Sequence, residues 1–348
     1  MKPRVLFLAN DLYTKGGVQH VARMSATTLL SCSDFSTRVI SRSKIPIELR
    51  GRHCITSNDN NYYFQLLASF YQMLWRPCLV FCDHLYTARF AKRARSKNIA
   101  LWAHLIEFSP PLNQIHQVSG QFASSIFCNS HFTKSQLKLW HPGWDAKTRA
   151  VWLGTPDICV KGKDGINERN LIVMLGRMNS SERYKGHDEV IEAMPAILSK
   201  IPGVLLTIIG DGDDKTRLIN KASNLGLLSC VKFTGLLSND ILQTYLDKAS
   251  ALIMPSSKEG FGLVYLEALR RGIPAIVLKH TVAEEIFAGC GVYCTNTAPE
   301  EIATKTCLAL NGQWKMESES IQRYLDNFTL EHFRARFLNN IKYCISNS

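Results

Sequence analysis

Short apolar runs recur along the chain, and few of them alternate with polar residues. Arg4–Ala9 (RVLFLA), Cys78–Asp83 (CLVFCD), Ile99–Ala103, Ile126–Cys128, Leu171–Leu175, Val204–Gly210 (VLLTIIG) and Ala251–Met254 are apolar at nearly every position. Runs of this length, apolar on both faces and closed by Gly, Asn, Asp or Pro, predict strands buried inside parallel sheets. Thr37–Ser41 and Val231–Leu236 read as further strands, and Val151–Asp157 as the last strand before a polar break. Helical spacing fills the gaps: from about Val18, over Tyr62–Trp75, Tyr86–Lys97 and Gly186–Ile197, from near Phe261, and over Asp326–Asn347 with Phe333, Phe337 and Ile341 on one face. Lys44–Asn61 reads as a polar loop. Strands alternating with helices predict an α/β protein. The polar segment 158–169 splits the series, giving a first domain over 1–157, a linker over 158–169, a second domain over 170–325 and a final helix over 326–348.

Composition narrows the class. The chain has 348 residues, 46% of them hydrophobic and 20% charged, which suits two folded domains and excludes a disordered protein. No apolar run approaches the roughly 18–20 residues of a membrane span. Asn10 and Asp11 end the first apolar run too early for a signal peptide, so the expected compartment is the cytosol. The 11 cysteines include no C-x-x-C pair, and most lie in apolar strings. They read as buried, reduced thiols rather than metal ligands. Charge is unevenly placed: residues 1–155 hold 19 Lys and Arg against 7 Asp and Glu, while 156–348 hold 22 of each. A basic first half implies an acidic partner. With no recognisable nucleic-acid module, anionic lipid or a phosphorylated acceptor is the expectation. The aromatic Tyr62–Trp75 helix and the cations of Tyr86–Lys97, with Lys134, Lys138 and Trp140, would supply a membrane-facing patch.

The densest chemistry lies in Pro255–Val277 (PSSKEGFGLVYLEALRRGIPAIV). A strand ends, a loop carries Glu259, Gly260 and Gly262, and a helix begins. A helix start offers unpaired N–H groups and the positive end of the macrodipole, which suits a phosphate. Glu267 falls about 6–9 Å further along the helix axis, roughly the span from a diphosphate to a ribose. Glu259 stays in the loop, placed for whatever hangs beyond the phosphates. Asn10–His20 is another strand–turn–helix junction, where Gly16 and Gly17 let backbone approach an anion. His104 follows a strand, at the edge where open α/β sheets bind ligands.

The E-x7-E pattern of Glu259 and Glu267, within S-K-E-G-F-G-L-V-Y-L-E-A, resembles the signature of retaining glycosyltransferases of family four (glycosyl transferases group 1). The Gly16-Gly17 loop, His104-Leu105-Ile106-Glu107, and Arg177 with Lys185 in G-R-M…E-R-Y-K-G resemble further motifs of that family. The resemblance implies the GT-B fold: two Rossmann-like β/α/β domains facing across a cleft, with a C-terminal helix crossing back to the N-terminal domain. It implies that Arg177 and Lys185 clamp a diphosphate, that Glu267 meets the ribose and Glu259 the donor sugar, and that His104 contacts the sugar. Gly16, Gly17, Gly260, Phe261 and Gly262 would approach the donor, and the strand end at Leu236 would line the base pocket. The implied reaction moves a hexose from a nucleoside diphosphate sugar, GDP-mannose or a UDP-hexose, to a saccharide or lipid-linked saccharide, as in bacterial polysaccharide assembly. Retention and independence of metal or other cofactor are implied with it. A nucleotide-sugar-binding subunit without transfer activity, and a nucleotide-sugar epimerase, use the same features and stay open at this point.

Overall fold

A computed structural model describes residues 2–91, 98–155, 170–314 and 324–347. The chain forms two compact units, Met1–Gly154 with Phe328–Ser348, and Thr155–Asn327. Residues 158–169, read above as the linker, lie outside the described residues, as do Lys92, Arg93, Arg95 and Lys97 of the basic helix.

The first unit is built on seven parallel strands: β1 (Arg4–Ala9), β2 (Ser36–Ser41), β3 (Cys54–Thr56), β4 (Leu79–Cys82), β5 (Ile99–Ala103), β6 (Ser125–Cys128) and β7 (Thr148–Ala150). Their order is β3-β2-β1-β4-β5-β6-β7. Two expectations change here. The Lys44–Asn61 loop contains β3 and a 3-10 turn, Ile47–Leu49. Three half-buried residues are too short a run to show a period, and only the ladder to β2 makes them a strand. The last strand ends at Ala150, not within Val151–Asp157. Val151 and Leu153 are buried all the same, and Trp152 stacks on Phe328. A Cβ on Gly154 would come within 2.5 Å of the Thr329 carbonyl, so this segment is packed against the C-terminal helix rather than laddered.

That helix, Leu330–Ser346, is capped by Thr329, whose hydroxyl accepts from the His332 N–H. Its Phe333, Phe337 and Ile341 are fully buried in the first unit. Phe337 stacks on Trp102 of β5 with centroids 5.8 Å apart and meets Phe81 of β4 edge-on at 5.2 Å. The helical spacing in the sequence is therefore the face that docks. The Tyr62–Trp75 stretch is an α-helix over Asn61–Phe70 continued by a π-helical turn, Tyr71–Trp75. Asn60, not a core residue, starts it by accepting from the Tyr63 N–H.

The second unit has six parallel strands: β8 (Leu171–Leu175), β9 (Leu205–Ile209), β10 (Val231–Gly235), β11 (Ala251–Met254), β12 (Ala275–Leu278) and β13 (Val292–Cys294). Their order is β10-β9-β8-β11-β12-β13. Ile172 and Met174 of β8 and Leu206 of β9 close its core with Val190 and Met194 from helix His187–Lys200. Both sheets reverse direction beside their first strand, between β1 and β4 and between β8 and β11. In doubly wound sheets that reversal opens a crevice at the carboxyl ends of the strands. Candidate site residues of both units follow those ends.

Candidate functional site

In the second unit the site starts where β8 ends. Gly176, Arg177 and Met178 are held by the turn after β9: Met178 N–H donates to the Asp211 carbonyl at 2.9 Å, and Gly176 N–H to Ile209 at 3.0 Å. A Cβ on Gly210 would sit 1.9 Å from the Gly176 oxygen, so the Gly-Asp-Gly turn is a packing device. The chain then makes a 3-10 turn, Ser180–Lys185, before helix His187–Lys200; the predicted start at Gly186 is one residue early, because Gly186 takes a left-handed conformation.

Lys185 ends that turn and points inward. Its side chain is 11% exposed, and Nζ lies 2.7 Å from Glu259 Oε1, on a carboxylate 15% exposed. Ser256 Oγ donates to the same oxygen at 3.2 Å. Ser257 N–H donates to the Tyr184 carbonyl at 3.0 Å, which ties the loop after β11 to the turn after β8. Lys185 and Glu259, 74 residues apart, are thus fixed against each other. Arg177 is more exposed, at 60%, and pairs with Glu182 at 2.5 Å. The Tyr184 ring lies between the two pairs: its hydroxyl reaches Glu182 at 3.4 Å, and Lys185 Nζ sits 5.6 Å from the ring. Burial, then the charges of Glu182 and Glu259, hold the Tyr184 phenol well above its usual range. Behind Lys185, His187 is buried and pushed down to about 4, first by burial and then by the Lys185 charge.

The helix carrying Glu267 runs over Leu263–Arg270, not from Phe261. Gly262 sits at φ 76, a left-handed conformation that ends the loop; a Cβ there would strike the buried Tyr265 ring at 2.4 Å. Phe261 is buried before the helix begins. No side chain among the described residues caps the helix start, and no acidic residue stands in its first turn. Glu267, one turn on, is half-buried. Arg271 donates to its backbone carbonyl at 3.1 Å and also to the side-chain oxygen of Gln243, from helix Asn239–Lys248. The carboxylate oxygen Oε2 is buried and has no hydrogen-bond partner among the described residues. Burial raises this carboxyl, against the pull of Arg271 and Gln243. Leu236 lies just past β10, which ends at Gly235, and is exposed.

In the first unit, His104 follows β5. Its N–H donates to Glu107 Oε1 at 2.7 Å, the local bond of the H-x-x-E segment. Its ring Nε2 lies 2.9 Å from the Asp83 carbonyl. Since a carbonyl only accepts, Nε2 carries the proton. Leu105 sits at φ 96, strained for a residue with a side chain. Asp83, after β4, is buried; it accepts from the Asn10 N–H at 2.8 Å and from the Thr87 hydroxyl at 2.9 Å, and burial pushes it up to about 6. Gly16 and Gly17 stand at the start of helix Gly17–Ser31, which no side chain among the described residues caps.

The structure therefore joins Lys185, Glu259 and Arg177 around Tyr184, and continues through Gly260–Gly262 into the helix of Glu267. His104, Gly16 and Gly17 each stand at the carboxyl end of a strand in the first unit. Sequence reasoning missed Glu182, Tyr184, Gln243, Ser256 and Asp83. Glu182 and Tyr184 lie inside a quoted motif and only lacked a partner; Gln243 and Asp83 carry no local signal.

A family model described as glycosyl transferases group 1 matches residues 160–324. The sulfoquinovosyl transferase of Arabidopsis thaliana is 27% identical over 145 residues, 42% of this chain and 26% of that protein. A GDP-mannose-dependent alpha-(1-6)-phosphatidylinositol monomannoside mannosyltransferase of Mycolicibacterium smegmatis is 28% identical over 174 residues, 47% of this chain and 44% of that one. The chain spans only 26% to 31% of the length of the first curated relatives it matches. Among solved structures, Anabaena Alr3699/HepE in complex with UDP-glucose superposes with a TM-score of 0.79 at 17% identity, covering 98% of this chain and 99% of that one. Sucrose-phosphate synthase from Thermosynechococcus elongatus also gives 0.79, at 16% identity over the whole of both chains. The fold is GT-B, and residues 160–324 are similar to the glycosyl transferases group 1 family.

Proposed function

We propose that this protein is a retaining glycosyltransferase that moves a hexose from a nucleoside diphosphate sugar to a saccharide or lipid-linked saccharide. One observation carries the reading. Lys185 and Glu259 are locked together at 2.7 Å beside an uncapped helix start, and that helix bears Glu267 with one buried oxygen unpartnered. A cation, a dipole and two carboxylate acceptors at that spacing match a diphosphate flanked by two polyhydroxylated groups. The donor is drawn from GDP-mannose and UDP-hexoses. A Mycolicibacterium relative is described as GDP-mannose-dependent, and the Anabaena neighbour as a complex with UDP-glucose.

In the reaction, the bond from the anomeric carbon to the diphosphate oxygen breaks and a bond to the acceptor oxygen forms on the same face. The acceptor's proton passes to the departing phosphate oxygen. Lys185 and Arg177 stabilise the charge that grows on that phosphate, in place of a divalent metal. Glu259, already engaged by Lys185, holds sugar hydroxyls rather than attacking carbon. His104, protonated on Nε2, presents Nδ1 as an acceptor to a sugar hydroxyl, and Gly17 backs the phosphate.

A lipid-linked acceptor follows from the helix beginning at Asn61. Residues 61–75 contain no charged side chain, yet Tyr62, Tyr63, Leu66, Phe70, Met73 and Leu74 are exposed. Such a face fits the interfacial layer of a membrane. No helix among the described residues is long and apolar enough to cross one.

The test is transfer from a panel of nucleotide sugars by wild type, Arg177→Ala and Lys185→Ala, with and without chelator. Losses of about 10²–10³ in kcat for each variant are expected. Wild-type turnover in both, or abolition by chelator, would overturn the metal-free clamp. Donor binding without transfer or hydrolysis would favour the inactive-subunit reading.

A further inference from the structure

We infer that a cavity at the amino ends of β5, β6 and β7 is a second ligand site, one that takes the phosphate group of a small soluble phosphate monoester. It lies in the first unit, at the opposite edge of the sheet from His104 and Asp83, which follow strand carboxyl ends. Asn98 and Ser124 stand just before β5 and β6, Lys147 just before β7, and Arg149 within β7. Tyr343 and Cys344, from the last turn of helix Leu330–Ser346, complete the wall. The cavity measures about 330 Å³, at the small end of ligand pockets and roomier than a bare ion needs.

The wall offers donors and positive charge. Arg149 lays its guanidinium over the Tyr343 ring, 3.7 Å from the centroid. Its Nε is buried and has no hydrogen-bond partner among the described residues. Lys147 Nζ donates to the Gly120 and Gln121 carbonyls at 2.7 and 2.8 Å, which leaves one of its three donors open. Asn98 gives one amide proton to the Cys344 carbonyl and accepts from the Ser124 hydroxyl, so its second amide proton is open too. Among the described residues no acidic side chain lines the cavity. Asp145, two residues before Lys147, pairs instead with Lys138 at 3.1 Å. The end of the last helix accounts for only part of this charge. A helix C-terminus carries about half a negative charge, and its Tyr343 and Cys344 carbonyls are already bonded by Asn347 and Asn98. Two full cations therefore share a cavity that holds no carboxylate. Leaving a buried guanidinium N–H unbonded is destabilising, and a phosphate group answers it: Arg meets phosphate oxygens as a fork and Lys as a point charge.

The experiment is calorimetric titration of the whole chain with inorganic phosphate and with ribose 5-phosphate, at constant ionic strength held by potassium chloride. Amide hydrogen exchange on the same samples locates the binding. Wild type, Arg149→Gln, Arg149→Lys and the double variant Arg177→Ala/Lys185→Ala are compared, the last to remove the cations proposed for the donor diphosphate. Saturable binding of the ester is expected, with exchange slowed over 143–149 and 340–347. The double variant is expected to keep this binding. Arg149→Gln should weaken it by about tenfold or more, and Arg149→Lys should recover part of the loss. No saturable binding of the ester overturns the site. So does protection confined to 176–186, an affinity unchanged in Arg149→Gln, or protection that chloride alone reproduces. Binding of inorganic phosphate without binding of the ester overturns the monoester assignment. If Arg149→Gln fails to fold, the location of protection in the wild type decides between these outcomes.

Discussion

Replacing Lys185 separates what its contact with Glu259 does for the fold from what it does for the reaction. Lys185→Met keeps the aliphatic stem, which lies over Gly176 with Cδ 3.2 Å from where a Cβ would stand, and removes only the ammonium. Glu259 then keeps Ser256 as a hydroxyl partner and loses its cation. Breaking a fully buried ion pair is destabilising by about 3–5 kcal/mol. Both side chains here retain some exposure, 11% and 15%, so about 1–3 kcal/mol is the better figure. Loss of a preorganised charge at the leaving phosphate removes a further ~2.7–4 kcal/mol from the transition state, or about 10²–10³ in rate. The assay is a double-mutant cycle with Glu259→Gln, read by denaturant unfolding and by kcat/KM with the accepted donor. Adding Glu259→Gln to Lys185→Met should restore most of the lost stability, since no unpaired carboxylate remains, and restore none of the turnover. Turnover within about threefold of wild type in Lys185→Met would refute the electrostatic role. Purely additive stabilities would refute the pairing.

Further outcomes follow from other parts of the site. Glu267→Gln should weaken nucleotide binding by about tenfold or more while leaving pyrophosphate affinity intact, as read by titration. Asp83, pushed up to about 6 by burial, gives stability that is full below its unfolded value near 3.8 and is lost as pH rises through 6. Asp83→Asn should therefore gain on wild type by about 2 kcal/mol from pH 4.5 to pH 7.5 in urea unfolding; a pH-independent difference would refute the burial. His187, pushed down to about 4, acts with opposite sign: its contribution is lost as pH falls from 6.5 to 4, so His187→Gln should flatten the acid limb of the stability profile. Vesicles containing anionic lipid should carry the protein upward in flotation at low salt, and Phe70→Glu with Leu74→Glu should abolish this without changing the melting temperature. Equal flotation of the variant would remove that face from the account.

The sequence by itself determined the parallel α/β plan, because a strand buried on both faces must be apolar at successive positions. It also determined the Glu259–Glu267 spacing and the docking face of the last helix, Phe333, Phe337 and Ile341, since each is carried by one continuous stretch. It could not place β3, whose pairing with β2 rather than its composition makes it a strand. Nor could it set the start of the Glu267 helix, which waits on the left-handed turn at Gly262 over the buried Tyr265 ring. Only the tertiary structure brought Lys185 onto Glu259, Glu182 onto Arg177, Gln243 onto Arg271 and Asp83 onto Asn10. Hydrogen bonds and ion pairs act over a few ångströms of space, and residues far apart in the chain meet at that range only after the sheets have set where each strand ends.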